Sequence, residues 1–294
     1  MSAFFAVAIA VLLPVQQTDT TFAVRQGMRL DVRNQEGEIR ITAWQRDQIR
    51  VTAGRTGGGT FSVDQSGSIL RVRPERGGWR ESTSGTRRRF EWDDSDPVVD
   101  FDIMVPAYMA LSLRGVETDI VVDGVIAEIT AETVEGVVDV RGGAGILTLS
   151  SVEGLVRVDG ARGRIEASSG DGDVFIRNAQ GDINANSVDG DVSLSDIDSR
   201  NVTVSTVDGD LSYSGTIYDR GRYRLSTHDG NVTLSVPENV NATVTVTSYD
   251  GDFQTSFPIV LRESRQRRFS FTLGDGSAVV ELESFDGDIY LRRR

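Results

Sequence analysis

Residues 136–190 read GVVDVRGGAGILTLSSVEGLVRVDGARGRIEASSGDGDVFIRNAQGDINANSVDG, and the period of this stretch decides the fold. Glycine stands at 136, 145, 154, 163, 172, 181 and 190, one every nine residues. Two and four positions after each glycine the residue is apolar: Val138 and Val140, Leu147 and Leu149, Val156 and Val158, Ile165 and Ala167, Val174 and Ile176, Ile183 and Ala185, Val192 and Leu194. The seventh position is usually small or apolar too, as in Val152, Ala161, Ala179, Val188 and Ile197. A helix would repeat near about 3.6 residues, whereas apolar residues two apart between glycines describe short strands with one buried face. Alternate units close differently. Glu135, Glu153, Asp171 and Asp189 precede one set of glycines, and Ala144, Arg162 and Gln180 precede the other, so the true repeat is eighteen residues.

One such strand pair cannot bury its apolar face alone, but stacked repeats can, each strand pairing in parallel with its equivalent at roughly 4.8 Å. The expected fold is all-β: a two-sided parallel β-solenoid of the β-helix or β-roll kind, with an N-terminal strand-rich section. Val, Ile, Leu and Ala fill its narrow core, and glycines mark corners with positive φ. Val174, Ile176, Ile183, Ala185, Val192 and Leu194 should point inward, and Phe175, Asn184 and Ser193 outward. A sandwich of ordinary hairpins would not require so regular a period.

Composition narrows the function. The chain of 294 residues carries 31 basic and 44 acidic residues, a net charge of −13, which argues against phosphate-backbone binding and hence a nucleic-acid partner. There is no cysteine, so disulfides and thiolate metal sites are excluded. The single histidine, His228, lies in a repeat turn where sister repeats carry Val207 or Tyr249, and reads as a turn residue rather than a ligand or base. No cofactor is indicated.

Outward from the repeat, residues 3–15 form an apolar run suited to a signal-peptide core and too short to span a bilayer, although no basic residue precedes it and no clean cleavage site follows. The alternative is a buried N-terminal strand. The expected organisation is a signal peptide at 1–17, an N-terminal β-section at 18–113 and a solenoid of about 18-residue coils at 114–294. Within the N-terminal section, 74–97 reads as a charged loop in which Arg87, Arg88 and Arg89 pair with Asp93, Asp94 and Asp96. No transmembrane span is expected. After Gly190 the spacing loosens through Gly209, Gly230 and Gly251, with an excursion at 260–271 before Gly287.

The opening FAVRQGMRLDVRNQEGEIRITAW, the Val105–Pro106–Ala107 phrase and units such as SVDGDVSL at 187–194 resemble the exported bacterial putative-adhesin family of β-strand repeat proteins, a domain of unknown function. The resemblance runs from about Thr21 to Leu291 and implies an exported, periplasmic, surface or secreted β-solenoid with no assigned catalytic residues.

The conspicuous chemistry is acidic. An acid precedes each main corner glycine, and another often follows it, as at Asp171, Asp173, Asp189, Asp191, Asp208, Asp210, Asp250 and Asp252. Stacked in register, these form two lines of carboxylates, neighbours repelling by roughly 0.9 kcal/mol in water before screening. Two readings follow: Asp capping its own turn, or a cation ladder. Calcium-binding nonapeptide rolls share the nine-residue period, but their glycine pair is missing here. No metal site is therefore assigned. The expected role is a non-catalytic surface or periplasmic interaction protein whose partner is a glycan, another envelope component or a protein. The alternatives are a scaffold that self-associates end to end and a polysaccharide-active enzyme using paired carboxylates.

Overall fold

A computed structural model describes residues 19–54, 61–75, 98–259 and 267–294 completely, with the backbone of the strands Trp79–Ser84, Arg87–Trp92 and Glu263–Arg265. All regular structure among the described residues is strand. Through the regular repeats each strand pairs in parallel with the next but one. Ala144–Glu153 pairs with Arg162–Ser169, which pairs with Ile183–Asn186; Val156–Asp159 pairs with Val174–Arg177, which pairs with Val192–Ile197. The registers carry the eighteen-residue period, with Leu147 opposite Ile165, Ile165 opposite Ile183, and Val156 opposite Val174.

The strands thus form two parallel series. Series A contains Ile129–Glu135, Ala144–Glu153, Arg162–Ser169, Ile183–Asn186, Asn201–Ser205 and Arg222–Asp229. Series B contains Val138–Gly142, Val156–Asp159, Val174–Arg177, Val192–Ile197, Leu211–Gly215 and Val232–Val236. Inward side chains of both series pack into one hydrophobic core. All six residues expected inward are buried, and Phe175, Asn184 and Ser193 stand outward.

The seventh position divides in a way that the pattern alone does not reveal. Ala161, Ala179 and Ile197 are buried, but Val152 and Val188 are exposed, at the edge where the chain passes from series A to series B. Asp139, on the face expected to be polar and open, is buried beneath Arg141 and Arg157, each 3.5 Å away.

The ladder also includes strands before residue 114. Arg29–Arg33 pairs in parallel with Ala110–Arg114, and Glu36–Trp44 with Glu117–Val125. Ile69–Pro74 and Phe101–Pro106 extend the two series one strand further. Antiparallel strands then cover both series at one end and series A at the other. Phe61–Ser66 covers Ile69–Pro74, and Gln48–Ala53 covers Phe101–Pro106, with Asp19–Ala23 beyond it. At the far end Arg268–Leu273 covers Ala242–Asp250.

Chain order and spatial order part company near the C-terminus. Ala278–Asp286 lies between Arg222–Asp229 and Ala242–Asp250, and Ile289–Arg293 lies between Val232–Val236 and Phe253–Thr255. Intercalation pairs the final repeat on both edges, so its backbone donors and acceptors are satisfied rather than left as a sticky edge. The segment expected as a charged loop, 74–97, contains an antiparallel hairpin of Trp79–Ser84 with Arg87–Trp92, a sheet of its own. The ion pairs expected there, and the expected signal peptide at 1–17, lie outside the described residues.

Candidate functional site

The edge where the chain crosses from series A to series B repeats one piece of chemistry: a hydroxyl residue, a variable residue, an acid and a glycine. The hydroxyl is buried and reaches back to the preceding rung. Ser151 Oγ donates to the Gly136 carbonyl at 2.9 Å, Ser169 to Gly154 at 2.7 Å and Ser187 to Gly172 at 2.7 Å. Thr206 donates to Gly190 at 3.0 Å, Thr227 to Gly209 at 3.1 Å and Ser284 to Gly230 at 2.9 Å. Each bond satisfies a carbonyl that the turn would leave unpaired, worth about 1 kcal/mol net and more if it were stranded.

One rung inverts the pattern. Thr118 stands where the other repeats have glycine, and Gly115 stands where they have serine or threonine. A Cβ on Gly115 would lie 2.5 Å from the Thr118 Cβ, and Thr118 is itself buried. The missing glycine is therefore compensated three residues earlier within the same turn.

The acid after the glycine caps the turn of the next rung. Asp119 Oδ1 accepts the Val137 N–H at 2.8 Å, Asp173 that of Asp191 at 2.9 Å, and Asp191 that of Asp210 at 2.8 Å. Asp210 accepts from Asn231 at 2.8 Å, Asn231 from Asp288 at 3.0 Å, and Asp288 from Asp252 at 2.8 Å. Parallel stacking places one rung's carboxylate beside the next rung's free amide, which a single-repeat reading cannot anticipate. The Asp252 amide, followed by the Tyr290 hydroxyl, holds the Asp288 carboxyl below the usual carboxylate range.

The acids before the glycine form the outer line, and all are exposed. Asp189 sits opposite Asp208, Asp208 opposite Asp229, Asp229 opposite Asp286, and Asp286 opposite Asp250. Thus Asp250 and Asp252 are not next to Asp229 and Asn231, because the intercalated final repeat separates them. Asp171, Asp189, Asp208, Asp229, Asp286 and Asp250 form no ion pair among the described residues. Among those residues no three His, Cys, Asp or Glu side chains come together as a group that could hold a metal ion. Beside the outer acids runs an exposed row of Val134, Val152, Val188 and Val207, ending in stacked rings. His228 stacks on Phe285 at 4.7 Å, Phe285 on Tyr249 at 5.0 Å, and the Arg267 guanidinium lies 5.4 Å above Tyr249. Phe285 is covered on both faces, and His228 acts as a stacking residue.

The two outer faces carry rows of mostly polar residues. Thr148, Glu166 and Asn184 adjoin across series A, and Asp139, Arg157, Phe175 and Ser193 across series B, as their spacing predicts. No helix among the described residues is long and apolar enough to cross a membrane. The hydroxyl rungs were missed in the sequence, although their signal was present: a serine or threonine three residues before nearly every acid-preceded glycine.

Comparison with curated proteins finds no match. Among solved structures the chain is similar to the crystal structure of a putative cell adhesion protein from Clostridium sporogenes ATCC 15579, at 8% identity over 94% of this chain and 99% of that one, with a TM-score of 0.25. At that level the likeness carries no argument. The family model described as Toastrack DUF4097 matches residues 27–292, nearly the whole repeat ladder, and the chain belongs to that family, a domain of unknown function.

Proposed function

We propose that this chain is a non-catalytic interaction protein exported to the periplasm or cell surface, built as a two-sided parallel β-solenoid. The observation that carries the reading is how the acidic edge is used. The inner carboxylates are spent on holding successive rungs in register, and the outer ones stand in single file rather than converging as catalytic pairs do. What remains available to a partner is two long, largely polar faces. Parallel strands with one shared core support the solenoid winding. The antiparallel strands over both ends speak for a discrete particle rather than an end-to-end scaffold. Partners of this role are an envelope component, a glycan or a surface protein.

Cell fractionation tests the reading. A processed chain recovered from the periplasm, the envelope or the medium is the expected result. Recovery of the intact, unprocessed chain from the cytoplasm would overturn it.

A further inference from the structure

The outer face of series B is not uniform. Across five neighbouring strands one outward row reads Phe175, Ser193, Ser212, Thr233, Tyr290, and the row beside it reads Arg177, Ser195, Ser214, Ser235, Arg292. Three strands of small hydroxyl residues thus form a floor between two matching walls, each an aromatic ring with an arginine two residues on. The walls stand four strand spacings apart, roughly 19 Å. A depression of about 280 Å³ straddles the first wall, lined by Arg157 and Asp159 on its outer side, by Phe175 and Arg177, and by Ser193 and Ser195 of the floor. A third row, Asp191 and Asp210, borders the floor. Each uses Oδ1 to accept a backbone N–H, leaving Oδ2 without a protein partner among the described residues.

The geometry points to this trough as a binding site for an uncharged, linear polysaccharide chain. This rests on the surface-interaction reading and deepens it. An added peptide strand is excluded, because every floor strand is already paired on both edges. An apolar partner would bury the floor hydroxyls without hydrogen bonds. A polyanion would meet Asp191 and Asp210, while the arginines of the walls are engaged: Arg177 with Asp159 at 2.6 Å, and Arg292 over the Tyr290 ring at 5.0 Å. A neutral sugar chain fits each element. Its C–H faces lie on Phe175 and Tyr290, its hydroxyls donate to the free carboxylate oxygens, and it exchanges hydrogen bonds with the serine and threonine floor. Each pyranose is about as long as the ~4.8 Å strand spacing, so sugar units and rungs run in step.

The test uses the full chain titrated calorimetrically with cellohexaose, chitohexaose and mannohexaose, with hexaguluronate as the anionic comparator. Saturable binding of at least one neutral hexaose is expected, weakened about tenfold or more by Phe175→Ala and by Ser212→Glu, and unchanged by Thr203→Glu on the opposite face. Tyr290→Ala serves in place of either variant that fails to fold by circular dichroism. Absence of binding by all three neutral sugars, binding unchanged in the trough variants, or tighter binding of hexaguluronate would overturn the inference. If the trough fails while the chain is still retained by isolated cell envelopes, this inference alone falls; cytoplasmic recovery removes the reading beneath it.

Discussion

The two edges of the ladder obey different rules. At the acid–glycine edge every rung between Gly136 and Gly230 repeats the same hydroxyl, acid and glycine, and side chains of one rung bond to the backbone of the next. The opposite edge also bonds rung to rung, Asn178 to Asp159 and Asn201 to Asp182, but no single side-chain motif repeats there. It turns through Gly160 and Ala161 in one rung, Asn178 and Ala179 in the next, and Asp196 to Arg200 after that, with Asn178, Asp196 and Arg220 at positive φ. The spacing between acid corners grows after Gly190 and again after Gly209, and each extra residue falls at this opposite edge. There the chain widens around buried Tyr213 and Tyr223, whose rings meet edge to face at 6.0 Å, and the Tyr223 hydroxyl donates to the Ser199 carbonyl at 2.6 Å. Burial pushes both phenols up in pKa. An edge whose rung-to-rung bonds repeat one motif must keep its length; an edge whose bonds change from rung to rung need not.

The sharpest way to break this contrast is to add one methyl group at each edge. A Cβ on Gly230, at φ 141°, would press on the Gly209 carbonyl oxygen, whereas one on Gly160, at φ 76°, meets nothing within 4 Å. Gly230→Ala should cost about 3 kcal/mol and Gly160→Ala about 1 kcal/mol by chemical denaturation. Equal losses would mean that the turns at Gly160 and Gly230 do not differ.

The inverted rung gives the next largest effect. Gly115→Ser alone should destabilise by about 2 kcal/mol through its clash with Thr118, and adding Thr118→Gly should recover most of that loss. Additive losses in the double-mutant cycle would contradict the compensation. Ser187→Ala, which strands the Gly172 carbonyl, should cost about 1–2 kcal/mol.

The inner acids should respond less. Asn231 already replaces Asp in one rung and accepts the same kind of backbone bond, so Asp210→Asn should be nearly neutral and Asp210→Ala only slightly destabilising, by under about 1 kcal/mol. A melt of Asp210→Asn as low as that of Asp210→Ala would show that the charge, not the acceptor oxygen, matters. The pH dependence follows. Hydrogen bonds from Arg177 and Asn178 hold Asp159 below the ordinary carboxylate range, and the Asp252 amide and the Tyr290 hydroxyl do the same for Asp288. A folded pKa below the unfolded one gives stability that is present above the unfolded value and lost as pH falls through the folded one. Melting temperature should therefore fall below about pH 4, and less so in Asp288→Asn.

These contrasts mark what the sequence could reveal. Strand positions, the inward set from Val174 to Leu194 and the single-file acids were legible, because alternation within a strand and the period between strands are local signals. The rung-to-rung bonds of Asp173 and Ser187 were not, since their partners lie a whole repeat away. The intercalated Ala278–Asp286 strand is also illegible, because excursion length does not say on which side of a neighbour a returning strand inserts. The trough from Phe175 to Tyr290 depends on that insertion, for without it Tyr290 would not adjoin Thr233.

The central claim is that the acid edge holds the rungs together through hydrogen bonds rather than through bound cations. Thermal melting of the full chain in excess EDTA and in millimolar calcium, at fixed ionic strength with magnesium as control, tests it most directly. The account predicts coincident transitions. A rise specific to calcium and well beyond that given by magnesium would contradict it, and would make the corners from Asp171 to Asp252 a metal ladder.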